Sequence, residues 1–255
     1  MGLTKPILEI HNLTKTFVTE GKPDFTALDH VSFQLYPGET LGIVGESGSG
    51  KSTLAKTITR LIDSTEGTVT LDGKDITRVS GKELRDVYKD IQMVFQTPVS
   101  SFDPRRTLGD GIGESLRNRG VSKKETEKTV LDLLEKCGLT AEFAGRYPHE
   151  VSGGQCQRAA IARALAIQPK ILICDEATSA LDVTVQQQIM ELLKKLREEN
   201  RISYLFICHN LGLVQSFCDR IVVMYEGKIV EAGTPDEVIM HPKSEYAKKL
   251  IESVF

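Results

Sequence analysis

The stretch from Val44 to Thr53 contains Gly45-Glu46-Ser47-Gly48-Ser49-Gly50-Lys51-Ser52, which fits the phosphate-loop pattern G-x-x-x-x-G-K-[ST]. Such a loop constrains the fold, because it needs a buried strand to deliver it and a helix to leave it. The glycines let the backbone wrap so that successive N–H groups point at phosphate oxygens, and the helix starting near Lys51 adds its positive N-terminal end. Lys51 supplies a point charge for the β- and γ-phosphates and the Ser52 hydroxyl a Mg²⁺ ligand. By average composition the four fixed positions match by chance in about 1% of chains this long. The plainer reading is a glycine-rich turn, and the flanks argue against it. Thr40 to Val44 is a short apolar run suited to a buried parallel strand, and Thr53 to Ile62 reads as the following helix.

Two other strands end in polar groups of similar use. Ile171 to Asp175 is an apolar strand closed by Asp175 and Glu176. At the end of a strand beside a phosphate loop, Asp175 can hold Mg²⁺ opposite Ser52, while Glu176 points differently and can orient a water for attack. Tyr204 to Cys208 repeats the pattern and delivers His209, which alone is as well read as a structural hydrogen-bonder. Gln96 follows the apolar strand Ile91 to Phe95 and could equally be a surface residue. The segment Val151-Ser152-Gly153-Gly154-Gln155 opens a helix bearing Ala160, Ile161, Ala164 and Leu165 on one face; it reads equally as a second anion site or as a simple N-cap.

The remaining order is that of an α/β chain with a helical insertion. Ile7 to His11 and Val31 to Leu35 alternate as strands around a polar connection containing Gly21, Lys22 and Pro23, with Phe17 between them, an aromatic most simply read as core. Pro37-Gly38 and Asp72-Gly73 are turns, the second closing the strand Gly67 to Leu71. From Thr97 to Pro148 the pattern is helical: Ser122 and Glu125 form a capping box, Val130, Leu133, Leu134 and Cys137 make one stripe, and Gly138 ends the helix. Asp182 caps a helix with Val185, Ile189, Leu192, Leu193 and Leu196 on one face. Ile221 to Tyr225 and Lys228 to Glu231 form a hairpin about Glu226-Gly227, and Ser244 to Val254 a terminal helix.

Composition narrows the function classes. A chain of 255 residues, 40% hydrophobic, supports one large domain or one domain with a subdomain, and 32 basic against 35 acidic residues give no electrostatic footprint for nucleic acid. Five cysteines, Cys137, Cys156, Cys174, Cys208 and Cys218, lack metal-ligand spacing and read as reduced thiols of a cytosolic protein. Met1 to Pro6 has no apolar signal core, and no run approaches the roughly 18 apolar residues of a membrane span, so a soluble protein able to dock on a membrane partner is expected.

With these residues in view, the chain resembles the ATP-binding cassette (ABC) subunits over essentially its whole length. The resemblance makes Gly45 to Ser52 the Walker A loop, Gln96 the Q-loop glutamine and a Mg²⁺ contact, Val151 to Gln155 the signature and Ile171 to Asp175 Walker B. It makes Glu176 the catalytic glutamate, Ser179-Ala180-Leu181-Asp182 the D-loop and His209 the H-loop switch. Phe17 matches the aromatic that stacks on adenine, which reverses the reading as core. The implied fold is α/β, a P-loop NTPase cassette with a mixed core sheet, an antiparallel β subdomain and an α-helical subdomain. Residues 1–96 and 155–255 would form the core and β subdomain, and about 97–154 the helical part with the signature.

A finer resemblance, carried by Ser100 to Arg105, Tyr147-Pro148-His149-Glu150 and His241-Pro242, is to the ATP-binding subunits of importers for peptides, nickel and metal chelates. Val151, Cys156 and Asn210 depart from the commoner leucine, a different residue after the signature, and aspartate, without removing a residue assigned chemistry. The resemblance implies ATP and Mg²⁺, and head-to-tail pairing with a second cassette, more often a related chain than a copy. Ser152, Gly153, Gly154 and Gln155 of one chain would then meet the nucleotide held by the other. It also implies two transmembrane permease subunits, a solute-binding protein engaged indirectly, and a peripheral place on the cytoplasmic face of a bacterial membrane. The rivals are DNA-maintenance ATPases and cassette-type translation factors. The first separate their halves by long coiled coils, whereas Ser52 and Ser152 are here 100 positions apart; the second carry two cassettes in one chain. A small-molecule kinase would leave the signature unexplained.

Overall fold

The computed structural model describes residues 5–21, 23–179 and 181–253. The chain begins with a long antiparallel pair, β1 (Leu8–Phe17) and β2 (Phe25–Leu35), reaches β3 (Thr40–Val44) through the Pro37-Gly38 turn, and passes into α1 (Lys51–Ile58). Then come β4 (Glu66–Leu71), the two-residue β5 (Lys74–Asp75), α2 (Gly81–Asp90) and β6 (Ile91–Val94). The helical stretch holds α3 (Leu108–Asn118) and α4 (Lys123–Lys136), and the signature segment opens α5 (Gly153–Leu165). The chain closes with β7 (Ile171–Asp175), α6 (Val183–Asn200), β8 (Ser203–Ile207), α7 (Leu211–Phe217), β9 (Arg220–Tyr225), β10 (Lys228–Gly233), α8 (Pro235–Met240) and α9 (Glu245–Glu252).

Two sheets result. One runs β2-β1-β4-β5 with antiparallel pairing throughout, and the other runs β10-β9-β3-β8-β7-β6, parallel except for the β9–β10 hairpin. The second is a buried sheet between two apolar layers, and the pleat assigns its side chains alternately. Tyr204 and Phe206 of β8 join Leu172 and Cys174 of β7 in the layer under α5 and α6, while Leu205, Ile207, Ile171 and Ile173 face the layer containing α1 and the antiparallel sheet. Since β3, β8, β7 and β6 are neighbours and parallel, their C-terminal ends share one edge, the place where open α/β sheets bind ligands.

Several boundaries differ from the sequence expectation, each for a local reason. Strands β1 and β2 run on to pair Phe17 with Phe25, across register shifts that the alternation pattern cannot show. Helix α1 stops at Ile58 rather than Ile62, where Thr59 Oγ1 donates back to the Ala55 carbonyl and Arg60 takes a left-handed φ of 59°. Only half of the Ser122 box forms, Glu125 N–H donating to Ser122 Oγ, whereas Gly138, at φ 72°, ends α4 as expected. The terminal helix is Glu245–Glu252 capped by Ser244; Val254, with Met1 to Thr4, Lys22 and Ala180, lies outside the described residues. Helices α2, α7 and α8 lie outside the elements expected from the sequence. The cysteines are buried free thiols, and burial pushes Cys174 up to about 12.

Candidate active site

The loop after β3 is shaped from outside as much as from within. A Cβ at Gly45 would run into the Met224 carbonyl of β9, so only glycine lets the loop pass there. Gly227 N–H donates to the Ser49 carbonyl at 3.1 Å, and Glu46 N–H to the Tyr246 hydroxyl at 2.9 Å. Inside the loop, the Lys51 ammonium donates to the carbonyls of Gly45 and Glu46, both at 2.7 Å, and to Ser49 Oγ at 3.3 Å. Burial pulls the Lys51 pKa below the usual lysine value, against the opposing fields of Glu176 and Asp175. Phosphate oxygens would relieve that cost, which makes the loop an anion receptor with its counter-charge in place.

The strand ends deliver the rest. Ser52 Oγ donates to Asp175 Oδ1 at 3.0 Å, joining the phosphate loop to the end of β7. Burial raises the Asp175 pKa, with the Ser52 hydroxyl pulling the other way. The next residue leaves the strand: Glu176 has a left-handed φ of 48°, its N–H donates to the Ile207 carbonyl of β8 at 3.0 Å, and Ser179 Oγ donates to its carbonyl at 3.0 Å. That turn separates two adjacent carboxylates, so that Glu176 Oε2 accepts from Gln96 Nε2 at 2.8 Å while Asp175 serves Ser52. A non-glycine residue held there costs about 1–3 kcal/mol, and such strain collects where a side chain must be aimed.

Of the residues singled out from sequence, Glu46, Ser47, Gly48, Ser49, Gly50, Lys51, Ser52, Asp175, Glu176 and Gln96 therefore form one constellation. Thr53 lies on the first turn of α1, where its carbonyl accepts from Thr57 Oγ1 at 2.7 Å. His209 is exposed one residue past Cys208, at the same sheet edge, and its side chain makes no hydrogen bond among the described residues. Phe17 is not core: it is 38% exposed at the end of β1, with Lys15 Nζ 4.9 Å from its ring centroid, leaving an aromatic face for a base. The signature segment stands apart. Ser152 Oγ accepts from Gln155 N–H at 3.3 Å and Gln155 Oε1 from Ser152 N–H at 2.9 Å, a complete capping box. Ser152 and Gly153 are exposed, and none of this segment bonds to the phosphate loop of its own chain. Asp182 is likewise exposed and caps α6, accepting from Val185 N–H at 3.0 Å. Sequence reasoning missed Tyr246, whose contact with Glu46 spans 200 positions and leaves no local signal.

The chain matches the family model described as ABC transporter over residues 28–179. It is 46% identical over 260 residues to the oligopeptide transport ATP-binding protein OppF of Salmonella typhimurium, covering 98% of this chain and 78% of that protein. To OppF of Bacillus subtilis it is 46% identical, covering 99% and 83%. To the glutathione import ATP-binding protein GsiA of Pectobacterium atrosepticum it is 45% identical over 98% of this chain but only 41% of that longer protein. Among solved structures, the dimeric post-hydrolysis cassette MJ0796 bound to ADP and Pi superposes with a TM-score of 0.82 at 34% identity, covering 89% of this chain and 98% of that one. The chain belongs to the ABC transporter family and is an ATP-binding, ATP-hydrolysing cassette of it.

Proposed function

We propose that this cassette powers a peptide importer, working at the cytoplasmic face of a bacterial membrane on two permease subunits and beside a second, related cassette. The observation that carries the catalytic part is the pair of contacts at one sheet edge, Ser52 to Asp175 and Gln96 to Glu176. Peptide cargo is favoured over nickel or metal chelates by relatives whose names concern oligopeptides and glutathione, itself a short peptide. No helix among the described residues is long and apolar enough to cross a membrane, which fits a subunit docked on separate permeases.

In this reading the loop amides from Ser47 to Thr53 and Lys51 hold the phosphates and Phe17 stacks on adenine, while Glu46 N–H is taken by Tyr246. Ser52 on the first turn of α1, Asp175 at the end of β7 and Gln96 just past β6 are hard oxygen donors and fit Mg²⁺, which when bound neutralises phosphate charge. Glu176, held off Asp175 by its left-handed turn, orients the attacking water; His209 meets the γ-phosphate from the end of β8. The segment Ser152 to Gln155, exposed at Ser152 and Gly153, and the exposed Asp182 serve the nucleotide of the second cassette, and residues 97–154 act as the helical subdomain against core segments 1–96 and 155–255. The test is a linked pair of cassettes with Ser152→Arg in one and Lys51→Ala in the other. If each site draws on both chains, this split arrangement damages one site and spares the other, whereas both changes in one cassette damage both. Higher residual ATPase for the split arrangement is expected; equal activity of the two arrangements refutes the shared site.

A further inference from the structure

The phosphate loop is gripped from behind by the C-terminal part of the chain, which lies outside the family match ending at residue 179. The Gly45–Glu46 peptide is trans, so its C=O and N–H point in opposite directions. Its carbonyl accepts from Lys51 Nζ at 2.7 Å inside the loop, and its N–H donates to the Tyr246 hydroxyl at 2.9 Å outside it. Tyr246 is itself fixed. Its ring stacks on Tyr225 with centroids 4.2 Å apart, and the start of α9 is tied to β10 through Glu231, whose carboxylate accepts from Lys243 N–H at 2.9 Å and Ser244 N–H at 2.8 Å. These bonds hold the Glu231 carboxyl below the usual glutamate range, although burial opposes them.

We infer that Tyr246 is a positioning residue for nucleotide binding, an external tether that holds the Gly45–Glu46 peptide while Lys51 turns from the loop to the phosphates. The ammonium has three protons, and all three are engaged by the loop, so a phosphate oxygen must displace at least one of those acceptors. Whichever acceptor yields, the bond to Tyr246 holds the Gly45–Glu46 peptide from outside the loop and keeps the cradle from closing. Ordering the loop beforehand lowers the entropy lost on binding, and its effect falls on affinity rather than on the chemical step.

This inference rests on the loop being the phosphate site, and the test separates the two. Tyr246→Phe deletes the hydroxyl and keeps the stack on Tyr225. We expect an unchanged melting temperature, MgATP affinity of the full chain weakened by about 3- to 10-fold, and in the assembled transporter a matching rise in KM with kcat within about twofold. Glu46→Pro removes the N–H donor, and adding Tyr246→Phe to it should bring no further loss. Lys51→Ala is the control for the loop itself. If Lys51→Ala weakens binding while Tyr246→Phe leaves affinity intact, the tether is wrong and the loop reading stands; if Lys51→Ala has no effect, the loop reading fails. An undiminished effect of Tyr246→Phe in the Glu46→Pro background also overturns the tether, because the loss would then run through another contact.

Discussion

Replacing Glu176 by glutamine tests the active-site assignment with the least structural disturbance. The backbone features that aim this side chain, the bond of its N–H to Ile207 and of its carbonyl to Ser179 Oγ, are untouched. A glutamine oxygen can still accept from Gln96 Nε2, so the change is confined to one charge and one basic site. If the carboxylate orients and deprotonates the attacking water, turnover falls by about 10²- to 10³-fold, equivalent to about 2.7 to 4.1 kcal/mol of barrier. ATP affinity moves the other way or not at all. A unit charge near the phosphates is worth about 1 kcal/mol at 4 Å in well-solvated surroundings, so binding tightens by at most about fivefold when that repulsion goes. The assay pairs MgATP titration of the full chain with steady-state hydrolysis in the assembled complex. Turnover like the wild type, or a loss of binding as large as the loss of turnover, refutes the role given to Glu176.

Three further outcomes follow from the same geometry. Lys51→Ala should weaken ATP by about 10- to 100-fold, since a charge-assisted contact to phosphate disappears; a titration with unchanged affinity counts against the loop. Phe17→Ala should weaken ATP by about 2- to 10-fold and leave inorganic triphosphate unaffected, because only base stacking is removed; equal losses for both ligands would refute adenine contact at Phe17. Arg163→Met should cost about 2 to 4 kcal/mol in urea unfolding, as the half-buried guanidinium bonds the Ser101 carbonyl and lies 4.5 Å from the Phe102 ring; an unaltered unfolding free energy would show those contacts to be neutral.

The division between what the sequence discloses and what it hides follows the range of the interactions. The Walker A loop, Asp175 and Glu176 announce themselves because strand, turn and helix are local, and because parallel strands must place their C-terminal ends on one edge once βαβ crossovers are formed. Continuous apolar runs likewise mark the strands of the buried sheet, since the pleat sends Tyr204 and Phe206 to one layer and Leu205 and Ile207 to another that is equally apolar. The helices α2, α7 and α8 run for ten, seven and six residues, at or below the roughly 10–12 residues over which apolar spacing tells a helix from other short segments. Phe17 shows why local reading fails at edges: its cross-strand pairing with Phe25 puts it at the open end of a sheet, where an aromatic has no layer to enter.

The segment least legible in the sequence has the most specific contact with the loop. Nothing near Tyr246 resembles a nucleotide motif, and its partner is a backbone amide, which any residue but proline would offer at position 46. The phosphate loop therefore cannot be understood as a strand, a turn and a helix alone. Met224 meets it at Gly45, Gly227 at Ser49 and Tyr246 at Glu46, three contacts from the final hairpin and helix. A cassette built this way gives its C-terminal elements a direct mechanical hold on the anion site. Changes that loosen α9 should then be felt first as weaker ATP binding, well before the sheet that carries Asp175 and Glu176 is disturbed.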